Sequence, residues 1–338
     1  MMQHDEDVLL EVKNLKTHFS LRQGVVKSVD GVNLKIKRGQ TLGVVGESGC
    51  GKSVTAQSIL RIVPSPGKIV EGEILLHTKA DGQSLDLAQL PPKGQAIRQV
   101  RGGEISMIFQ EPMASLSPVY TIGNQIIEMV YLHQSIGKAG AKEQVLDMLA
   151  RVGFAQPART FDAYPHELSG GMRQRAVIAM ALMGRPSLLI ADEPTTALDV
   201  TTEAQILRLL KRLQAELGMA IMFITHDLGV IAKMADQVAV MYLGKVVEQT
   251  DVDSIFYQPK HPYLRALLDS VPQLGGQREA RLKSITGMVP DPFNLPSGCP
   301  FYPRCPDFIP DRCDVDVPGY VELGQGNQHG VACHLHTS

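Results

Sequence analysis

The sequence predicts an α/β fold with a largely parallel sheet, and three observations support this prediction. Continuous apolar runs of strand length alternate with segments of helical spacing, as in parallel sheets that are covered by helices. A glycine-rich loop joins one of these strands to a helix. Beyond the last strand, proline and glycine become frequent and the helical periodicity fades, which indicates a second region.

The elements follow one another in a simple order. Short strands are predicted near the N-terminus, where the second alternates apolar with polar residues and the third is a buried apolar run, at 9–15, 32–37 and 41–46. Further apolar runs predict strands at 72–76, 104–109, 187–192, 219–225 and 237–242. Helical spacing follows the glycine-rich loop and recurs at 122–134, 141–152, 171–183, 202–217, 228–234 and 262–270.

The chain divides into two predicted domains. We place the boundary at 256–260, so that residues 1–256 form a main domain and residues 257–338 form a C-terminal extension. Within the main domain, the stretch 111–167 has no convincing strand and is predicted to be a mostly helical insertion.

Composition excludes several classes of protein. The chain has 338 residues, 44% hydrophobic and 20% charged, with a net charge of −2 and no long block of like charge, so bulk electrostatic binding of nucleic acid is not indicated. No apolar run reaches membrane-spanning length, and the acidic start MMQHDEDVLL does not resemble a secretory signal. We therefore expect the chain in the cytoplasm, with any membrane-spanning helices supplied by other subunits.

The glycine-rich loop has the sequence GESGCGKS, here called the phosphate loop (46–53). It matches G-x-x-x-x-G-K-S between a predicted strand and a predicted helix, which is the context that phosphate binding requires. Successive backbone N–H groups and the helix N-terminus attract phosphate. Lys52 is expected to reach the β- and γ-phosphates of a nucleotide, and the Ser53 hydroxyl is expected to ligate Mg²⁺.

A second motif, LLIADEPTTALD (188–199), ends a buried strand with two carboxylates. Asp192 lies at the strand end, where an aspartate beside a phosphate loop can hold Mg²⁺. Glu193 follows directly and places a second carboxylate at the same strand end.

The third motif is LSGGMRQR, here called the signature segment (168–175). Ser169, Gly170 and Gly171 precede an uninterrupted helix and so create a second N-terminus that attracts anions. A second anion site is surplus within one chain that already has a phosphate loop. It gains a purpose if it closes on the ATP held by a partner subunit, in a head-to-tail dimer.

Together the three motifs resemble the ATP-binding cassette family, and the resemblance runs from about residue 8 to Cys333. It implies a P-loop NTPase cassette with an N-terminal antiparallel β subdomain, a helical signature subdomain and ATP with Mg²⁺ as ligands. It also implies roles for four residues: Glu193 as general base, His226 as the switch histidine at the γ-phosphate, Gln110 as the Q-loop glutamine that senses Mg²⁺, and Asp199 as the D-loop residue at the dimer interface.

The predicted nucleotide site therefore has four sets of residues, which overlap in part. The aromatic ring of Phe19 is expected to stack on adenine, as the resemblance implies, and the catalytic group comprises Lys52, Gln110, Glu193 and His226. The remaining nucleotide-binding residues are Gly46, Glu47, Ser48, Gly49, Cys50, Gly51, Ser53, Val54, Ser169, Gly170, Gly171, Asp192 and Asp199. The expected Mg²⁺ ligands are Ser53, Gln110 and Asp192.

Four of the five cysteines lie near the C-terminus, as Cys299, Cys305, Cys313 and Cys333. Clustered thiols in a reducing compartment suggest metal ligation before disulfides, and the proline-rich segment around them can bury little apolar surface. The spacing C-x₅-C-x₇-C-x₁₉-C lacks the tight pairs typical of structural zinc and favours a larger cluster. Zinc remains the alternative.

The segments HPYLRALLDSVP, GCPFYPRCP and HGVACH resemble the C-terminal extension of dipeptide and oligopeptide importer ATPases, some of which hold a 4Fe–4S cluster. The resemblance implies an ATPase that powers peptide import. Its partners are a second, paralogous ATPase subunit, two transmembrane permease subunits and, indirectly, an extracytoplasmic solute-binding protein, with the chain at the cytoplasmic face of the inner membrane. Import of nickel or oligosaccharides, a soluble cassette ATPase that acts on DNA or ribosomes, and a redox or metal-sensing module are the alternatives.

Overall fold

Two β-sheets form the framework of the molecule, in a computed structural model that describes residues 7–78, 84–111, 115–134, 136–270, 285–324 and 329–337. The first is an antiparallel sheet of strands β1 (Val8–Leu21), β2 (Gly24–Lys37), β4 (Gly67–His77) and β5 (Ser84–Asp86), in the order β2-β1-β4-β5. Val32, Leu34 and Ile36 of β2 are buried and alternate with less buried residues, as the sequence pattern predicts for a sheet with one covered face.

The second sheet has eight strands, and five of them are parallel. These are β3 (Thr41–Val45), β6 (Ile105–Ile108), β7 (Leu188–Asp192), β8 (Ala220–Thr225) and β9 (Gln237–Tyr242), in the spatial order β9-β3-β8-β7-β6. Every residue of β3, β7 and β8 is buried, because the sheet is covered on both faces. The predicted parallel core is confirmed.

Three antiparallel strands extend this sheet beyond β9. They are β10 (Lys245–Asp251), β12 (His329–Val331) and β11 (Val321–Leu323). None of the three was predicted. Since β11 and β12 belong to the C-terminal extension, the sheet continues across the predicted boundary at 256–260.

The helices largely follow the predicted periodicity. Helix α1 (Lys52–Ile59) follows β3, and α2 (Gln95–Gly103) precedes β6. Between β6 and β7, the described residues include the helices α3 (Ile122–His133), α4 (Lys138–Arg151), α5 (Pro157–Asp162) and α6 (Gly170–Leu182). The later helices are α7 (Val200–Leu217), α8 (Leu228–Met234), α9 (Val252–Tyr257) and α10 (Pro262–Asp269).

The core lies on both faces of the parallel sheet. Strand β7 shows this arrangement, because Leu188 and Ile190 pack with the antiparallel sheet and α1, whereas Leu189 and Ala191 pack with the helices α3 to α8. Tyr263 and Phe301 of the C-terminal extension join the second cluster. Within the described ranges, no helix is both long enough and apolar enough to cross a membrane.

Candidate active site

The phosphate loop connects β3 to α1, and two of its glycines fit positions that no other residue can occupy without strain. Gly46 and Gly51 have φ angles of 154° and 100°. A Cβ atom at Gly46 would lie 2.2 Å from the carbonyl oxygen of Met241, and one at Gly51 would lie 2.1 Å from that of Ser28. The loop is therefore wedged between β9 and β2, with its backbone curled as phosphate binding requires.

Lys52 lies across this loop. Its side chain is buried, and Nζ donates hydrogen bonds to the carbonyl oxygens of Gly46 at 2.7 Å and Glu47 at 3.0 Å. The Cys50 thiol lies 3.7 Å from the same nitrogen. Burial raises the pKa of Cys50, although Lys52 opposes the shift, so the sulfur is a neutral packing group rather than a thiolate.

Asp192 lies at the carboxyl end of β7 and forms a side-chain hydrogen bond with Ser53 of α1. It is 3% exposed, and its Oδ1 atom has no hydrogen-bond partner among the described residues. Burial and the neighbouring Glu193 raise the pKa of Asp192. A buried carboxylate oxygen without a partner is unfavourable unless a cation binds it, so Ser53 and Asp192 fit Mg²⁺.

Glu193 receives hydrogen bonds from three directions. Gln110 Nε2 lies 3.2 Å from Glu193 Oε2, Thr196 Oγ1 lies 3.0 Å from the same oxygen, and His226 Nδ1 lies 3.1 Å from Oε1. Partial burial acts to raise the pKa of Glu193, but the hydrogen bonds from His226 and Thr196 and the charge of Lys52 outweigh it and lower the pKa. Glu193 is therefore an ionised, oriented carboxylate.

The topology brings these groups together. Gln110 follows β6, Asp192 and Glu193 end β7, and His226 follows β8, and these three strands are neighbours in the parallel sheet. Their carboxyl ends meet at the edge where α/β proteins bind ligands. Thr196 was not predicted, since only its position three residues after Glu193 could have indicated it.

The signature segment lies at the start of α6. Ser169 is exposed and caps the helix, and its hydroxyl accepts a hydrogen bond from the Met172 N–H at 3.4 Å. A Cβ atom at Gly171 would lie 2.6 Å from the Thr202 side chain. Asp199 caps α7 by accepting hydrogen bonds from the backbone N–H groups of Thr201 and Thr202, so the two helix starts lie side by side.

Gln174 connects α6 to the loop that carries Glu193. This side chain is fully buried, and its Nε2 donates a 2.6 Å hydrogen bond to the carbonyl oxygen of Pro194, directly after Glu193. A displacement of α6 therefore reaches the loop that carries Glu193.

Phe19 lies in β1 of the antiparallel sheet and is half-buried. A Cβ atom at Gly67 of β4 would lie 2.5 Å from the Phe19 ring. The ring therefore packs over a position of β4 that must lack a side chain. Strand β1 contacts the helix of the phosphate loop through Thr17 Oγ1 and Ser58 Oγ, which are 2.8 Å apart.

The four C-terminal cysteines are free thiols near one another. The Cys299 N–H donates a 2.7 Å hydrogen bond to the carbonyl oxygen of Cys313. Cys299, Cys305 and Cys333 lie close enough for the charge of one thiolate to affect the pKa of another. Burial raises the pKa of Cys299 to about 11 and that of Cys305 to about 12, with smaller contributions from the other cysteines.

The predicted zinc or iron–sulfur site is not found as a close ligand group. In the part of the chain that the structure describes, no three His, Cys, Asp or Glu side chains are arranged to hold a metal ion. The physical reason is that neutral thiols pack as small apolar groups, and Cys299 and Cys313 belong to the hydrophobic core.

Two residues of the C-terminal extension contact the phosphate loop, and neither was predicted. Tyr263 Oη accepts a 2.9 Å hydrogen bond from the Glu47 N–H, and Arg304 forms an ion pair with the Glu47 carboxylate at 2.7 Å. No local pattern reveals them, because they are more than 200 residues away in sequence (216 and 257).

Comparison with known proteins gives a consistent result. Residues 29–196 match the family model "ABC transporter", and residues 247–313 match "Oligopeptide/dipeptide transporter, C-terminal region". The chain is 50% identical over 328 residues to "Probable peptide ABC transporter ATP-binding protein y4tR" of Sinorhizobium fredii, covering 97% of this chain and 95% of that protein. It is 47% identical to the oligopeptide transport ATP-binding protein AppD of Bacillus subtilis, over 97% of both chains.

Two solved structures match about three-quarters of this chain. A dimeric post-hydrolysis state of the ATP-binding cassette MJ0796 bound to ADP and Pi superposes with a TM-score of 0.62 at 26% identity, covering 72% of this chain and 99% of the other. CbiO1 from Clostridium perfringens, part of an ABC transporter complex, gives a TM-score of 0.62 at 28% identity over 75% and 92% of the two chains. The chain therefore belongs to the ABC transporter family, as an ATP-binding protein whose C-terminal part matches the region found in oligopeptide and dipeptide transporters.

Proposed function

We propose that this chain hydrolyses ATP to power the import of di- and oligopeptides through a membrane transporter. The observation that carries the proposal is Glu193, an ionised carboxylate oriented by Gln110, Thr196 and His226 beside the buried Asp192. The relatives named as peptide, oligopeptide and dipeptide transport proteins support the choice of solute.

Each residue of the site has a chemical role in this proposal. Lys52 would leave its carbonyl partners and donate to the β- and γ-phosphates. Ser53 and Asp192 would hold Mg²⁺, which would supply positive charge at the phosphates. Glu193 accepts the proton of the attacking water, and His226 orients that carboxylate and the γ-phosphate. Gln110 reports the state of the site, because it bonds to Glu193 and lies two residues after the end of β6.

Reconstitution tests this function. The chain is assembled with its transmembrane permease subunits and a partner ATPase in lipid vesicles, and a solute-binding protein is added outside. We expect ATP hydrolysis to rise when a peptide-loaded binding protein is present, together with peptide uptake. Stimulation by nickel or an oligosaccharide instead would overturn the solute, and failure to assemble with membrane subunits would favour a soluble cassette ATPase.

Two ATPase subunits are proposed to share each nucleotide. Ser169 is exposed at the start of α6. Its hydroxyl and the helix N-terminus can bind the triphosphate of an ATP molecule that is held by a second ATPase subunit, either a paralogue or a second copy. Asp199 lies on the adjoining helix start and would cross the same interface.

The variant Ser169→Asp tests this sharing. Aspartate caps helices as well as serine does, so stability is retained, but its charge repels a triphosphate. The isolated subunit should bind TNP-ATP as the wild type does, whereas the assembled transporter should lose ATP hydrolysis. Weaker binding by the isolated subunit would place Ser169 in its own nucleotide site and refute the shared one.

A groove beside Gln110 is the proposed docking site for the membrane subunits at the cytoplasmic face of the inner membrane. Its volume is about 950 Å³, and its wall includes Phe109, Met129, Leu132 and Met180. Phe109 and Leu132 are 44% and 67% exposed, which suits an apolar helix. Leu132→Glu should weaken co-purification with the permease subunits while nucleotide binding persists, and Tyr257→Glu, at another exposed position, is the control.

The four cysteines are proposed to bind a 4Fe–4S cluster rather than a single ion. Support comes from the number of thiols and from their mutual proximity, since four cysteine thiolates are the usual ligands of such a cluster. Protein prepared without oxygen should contain iron and acid-labile sulfide. Stoichiometric zinc would assign a single ion, and the absence of both metals would leave four structural thiols.

A further inference from the structure

The phosphate loop is held from outside the main domain by an arginine. Arg304 Nη1 lies 2.7 Å from Glu47 Oε2, and Arg304 Nη2 lies 3.0 Å from Glu47 Oε1. This is the planar two-bond geometry in which arginine binds a carboxylate most strongly. Tyr263 Oη adds a third contact by accepting a 2.9 Å hydrogen bond from the Glu47 N–H.

The guanidinium of Arg304 is fixed in place. Its side chain is 3% exposed, Nη1 also lies 3.3 Å from Tyr242 Oη, and Nε donates to the carbonyl oxygen of Thr286 at 3.3 Å. The guanidinium carbon lies 5.8 Å from the ring centre of Tyr242 and 6.0 Å from that of Phe301. An arginine held by both rings and three hydrogen-bonded partners has little freedom to reorient.

Glu47 is an unfavourable residue for a loop that binds phosphate. Its carboxylate carries a negative charge in the loop where a nucleotide would place several more, and like charges at short distance repel. Its carbonyl oxygen accepts the Lys52 ammonium at 3.0 Å, so a shift of Glu47 also shifts the lysine. Arg304 neutralises the carboxylate and keeps this peptide unit in place.

We infer that Arg304 is a positioning residue of the nucleotide site, which neutralises Glu47 so that the phosphate loop can accept a polyphosphate. The inference rests on the proposed nucleotide site and adds to it a contribution from the C-terminal extension. Its consequence is that nucleotide affinity depends on the fold of the extension.

The turn that carries Arg304 also carries two of the cysteines. Tyr302 N–H donates to the carbonyl oxygen of Cys299 at 3.0 Å, and Cys305 N–H donates to that of Tyr302 at 3.2 Å. Arg304 lies between them in the same hydrogen-bonded turn. The conformation of the cysteine segment thereby sets the position of the guanidinium.

The experiment is a double-mutant cycle read by nucleotide binding. Arg304→Met, Glu47→Gln and the double variant are titrated with TNP-ADP and TNP-AMP in the full-length chain. Arg304→Met should weaken TNP-ADP binding about tenfold, because the partly buried Glu47 then keeps an unpaired negative charge beside the phosphates. TNP-AMP, which has no β-phosphate for the loop, should lose much less.

Removal of the unpaired charge should then restore binding. The double variant is expected to bind TNP-ADP several-fold more tightly than Arg304→Met alone, which loss of packing cannot explain. Arg304→Lys keeps the positive charge but loses the planar two-bond geometry, so its affinity for TNP-ADP should lie between those of the wild type and Arg304→Met. Arg312→Met is the matched control, because Arg312 is half-buried next to Cys313 and its guanidinium bonds to Thr337, far from the phosphate loop in sequence.

Two results would overturn the inference. Equal weakening of TNP-ADP and TNP-AMP, or a double variant no better than Arg304→Met, would show that Arg304 only stabilises the fold. If Arg304→Met does not fold, Arg304→Gln, which is also neutral, is compared with and without Glu47→Gln and gives the same decision. A wild-type chain that does not bind TNP-ADP would instead refute the nucleotide site itself.

Discussion

Glu193 Oε1 and His226 Nδ1 lie 3.1 Å apart, although the residues come from different strands and are separated by 33 positions. The backbone of Glu193 has a φ angle of 46°, a left-handed conformation that is uncommon outside glycine. Its N–H is held by the carbonyl oxygen of Ile224 on β8 at 2.9 Å. The structure therefore sustains local strain to aim this carboxylate at the histidine, as is typical of functional sites.

The first prediction concerns Glu193→Gln. Glutamine keeps the shape of the side chain and can still bond to His226 and Thr196, but it cannot accept a proton from water. ATP hydrolysis should fall by about 10²–10⁴-fold while ATP affinity stays within a few-fold of the wild type. Single-turnover hydrolysis and TNP-ATP titration measure the two quantities, and near-normal turnover would exclude Glu193 as the base.

The second prediction concerns Thr196→Val, which removes a hydroxyl without changing the shape of the side chain. Thr196 helps to lower the pKa of Glu193, so its loss raises that pKa. A base must be ionised to act, and the acid limb of the kcat/KM profile should therefore move to higher pH. Thr250→Val is the control, because Thr250 bonds to Asp251 instead. An unmoved acid limb would show that Thr196 does not tune the base.

Much of this site could be predicted from sequence because each chemical group lies in a local pattern. The phosphate loop fixes Lys52 and Ser53 within eight residues, and buried apolar runs place Asp192 and His226 at strand ends. The parallel core and most helices follow from the same periodicity, and most bounds lie within about five residues of the prediction. The exceptions are the end of β1, which lies six residues later than predicted, and the start of β2, which lies eight residues earlier.

What could not be predicted depends on contacts between distant segments. Strands β11 and β12 have three residues each, too few to show a period, and β12 forms because Glu248 and Gln249 of β10 offer a pairing edge about 80 residues upstream. Arg304 is an ordinary residue in a proline-rich turn until the fold brings it to Glu47. The helix and strand patterns carry no information on such pairings.

The third prediction separates backbone strain from steric conflict within the phosphate loop. Gly49 and Gly51 both have positive φ angles, of 79° and 100°. A Cβ atom at Gly49 meets nothing within 4 Å, whereas one at Gly51 would lie 2.1 Å from the carbonyl oxygen of Ser28. Gly49→Ala should cost about 1–2 kcal/mol, and Gly51→Ala should cost more and abolish nucleotide binding. Thermal unfolding and TNP-ADP titration test this order, and equal effects would contradict it.

The last prediction concerns His261, which caps α10 at the start of the C-terminal extension. Its Nδ1 accepts the Tyr263 N–H at 3.0 Å, and its buried Nε2 has no partner in the ranges that the structure describes. Burial, with smaller contributions from His336 and Arg265, lowers the pKa of His261 to about 3. The folded state therefore keeps this ring neutral at a pH where the unfolded chain binds a proton.

The sign of the effect follows from this difference in proton binding. Between pH 6.5 and about 3 the unfolded state holds one more proton at His261, so the free energy of unfolding falls as the pH falls. The contribution is at most about 1.4 kcal/mol per pH unit. Asparagine can accept the same capping bond without titrating, so His261→Asn should flatten the dependence of the unfolding midpoint on pH below 6.5. The exposed His166→Asn serves as the control, and a His261→Asn variant whose pH dependence equals that of the wild type would show that the ring is protonated in the folded state.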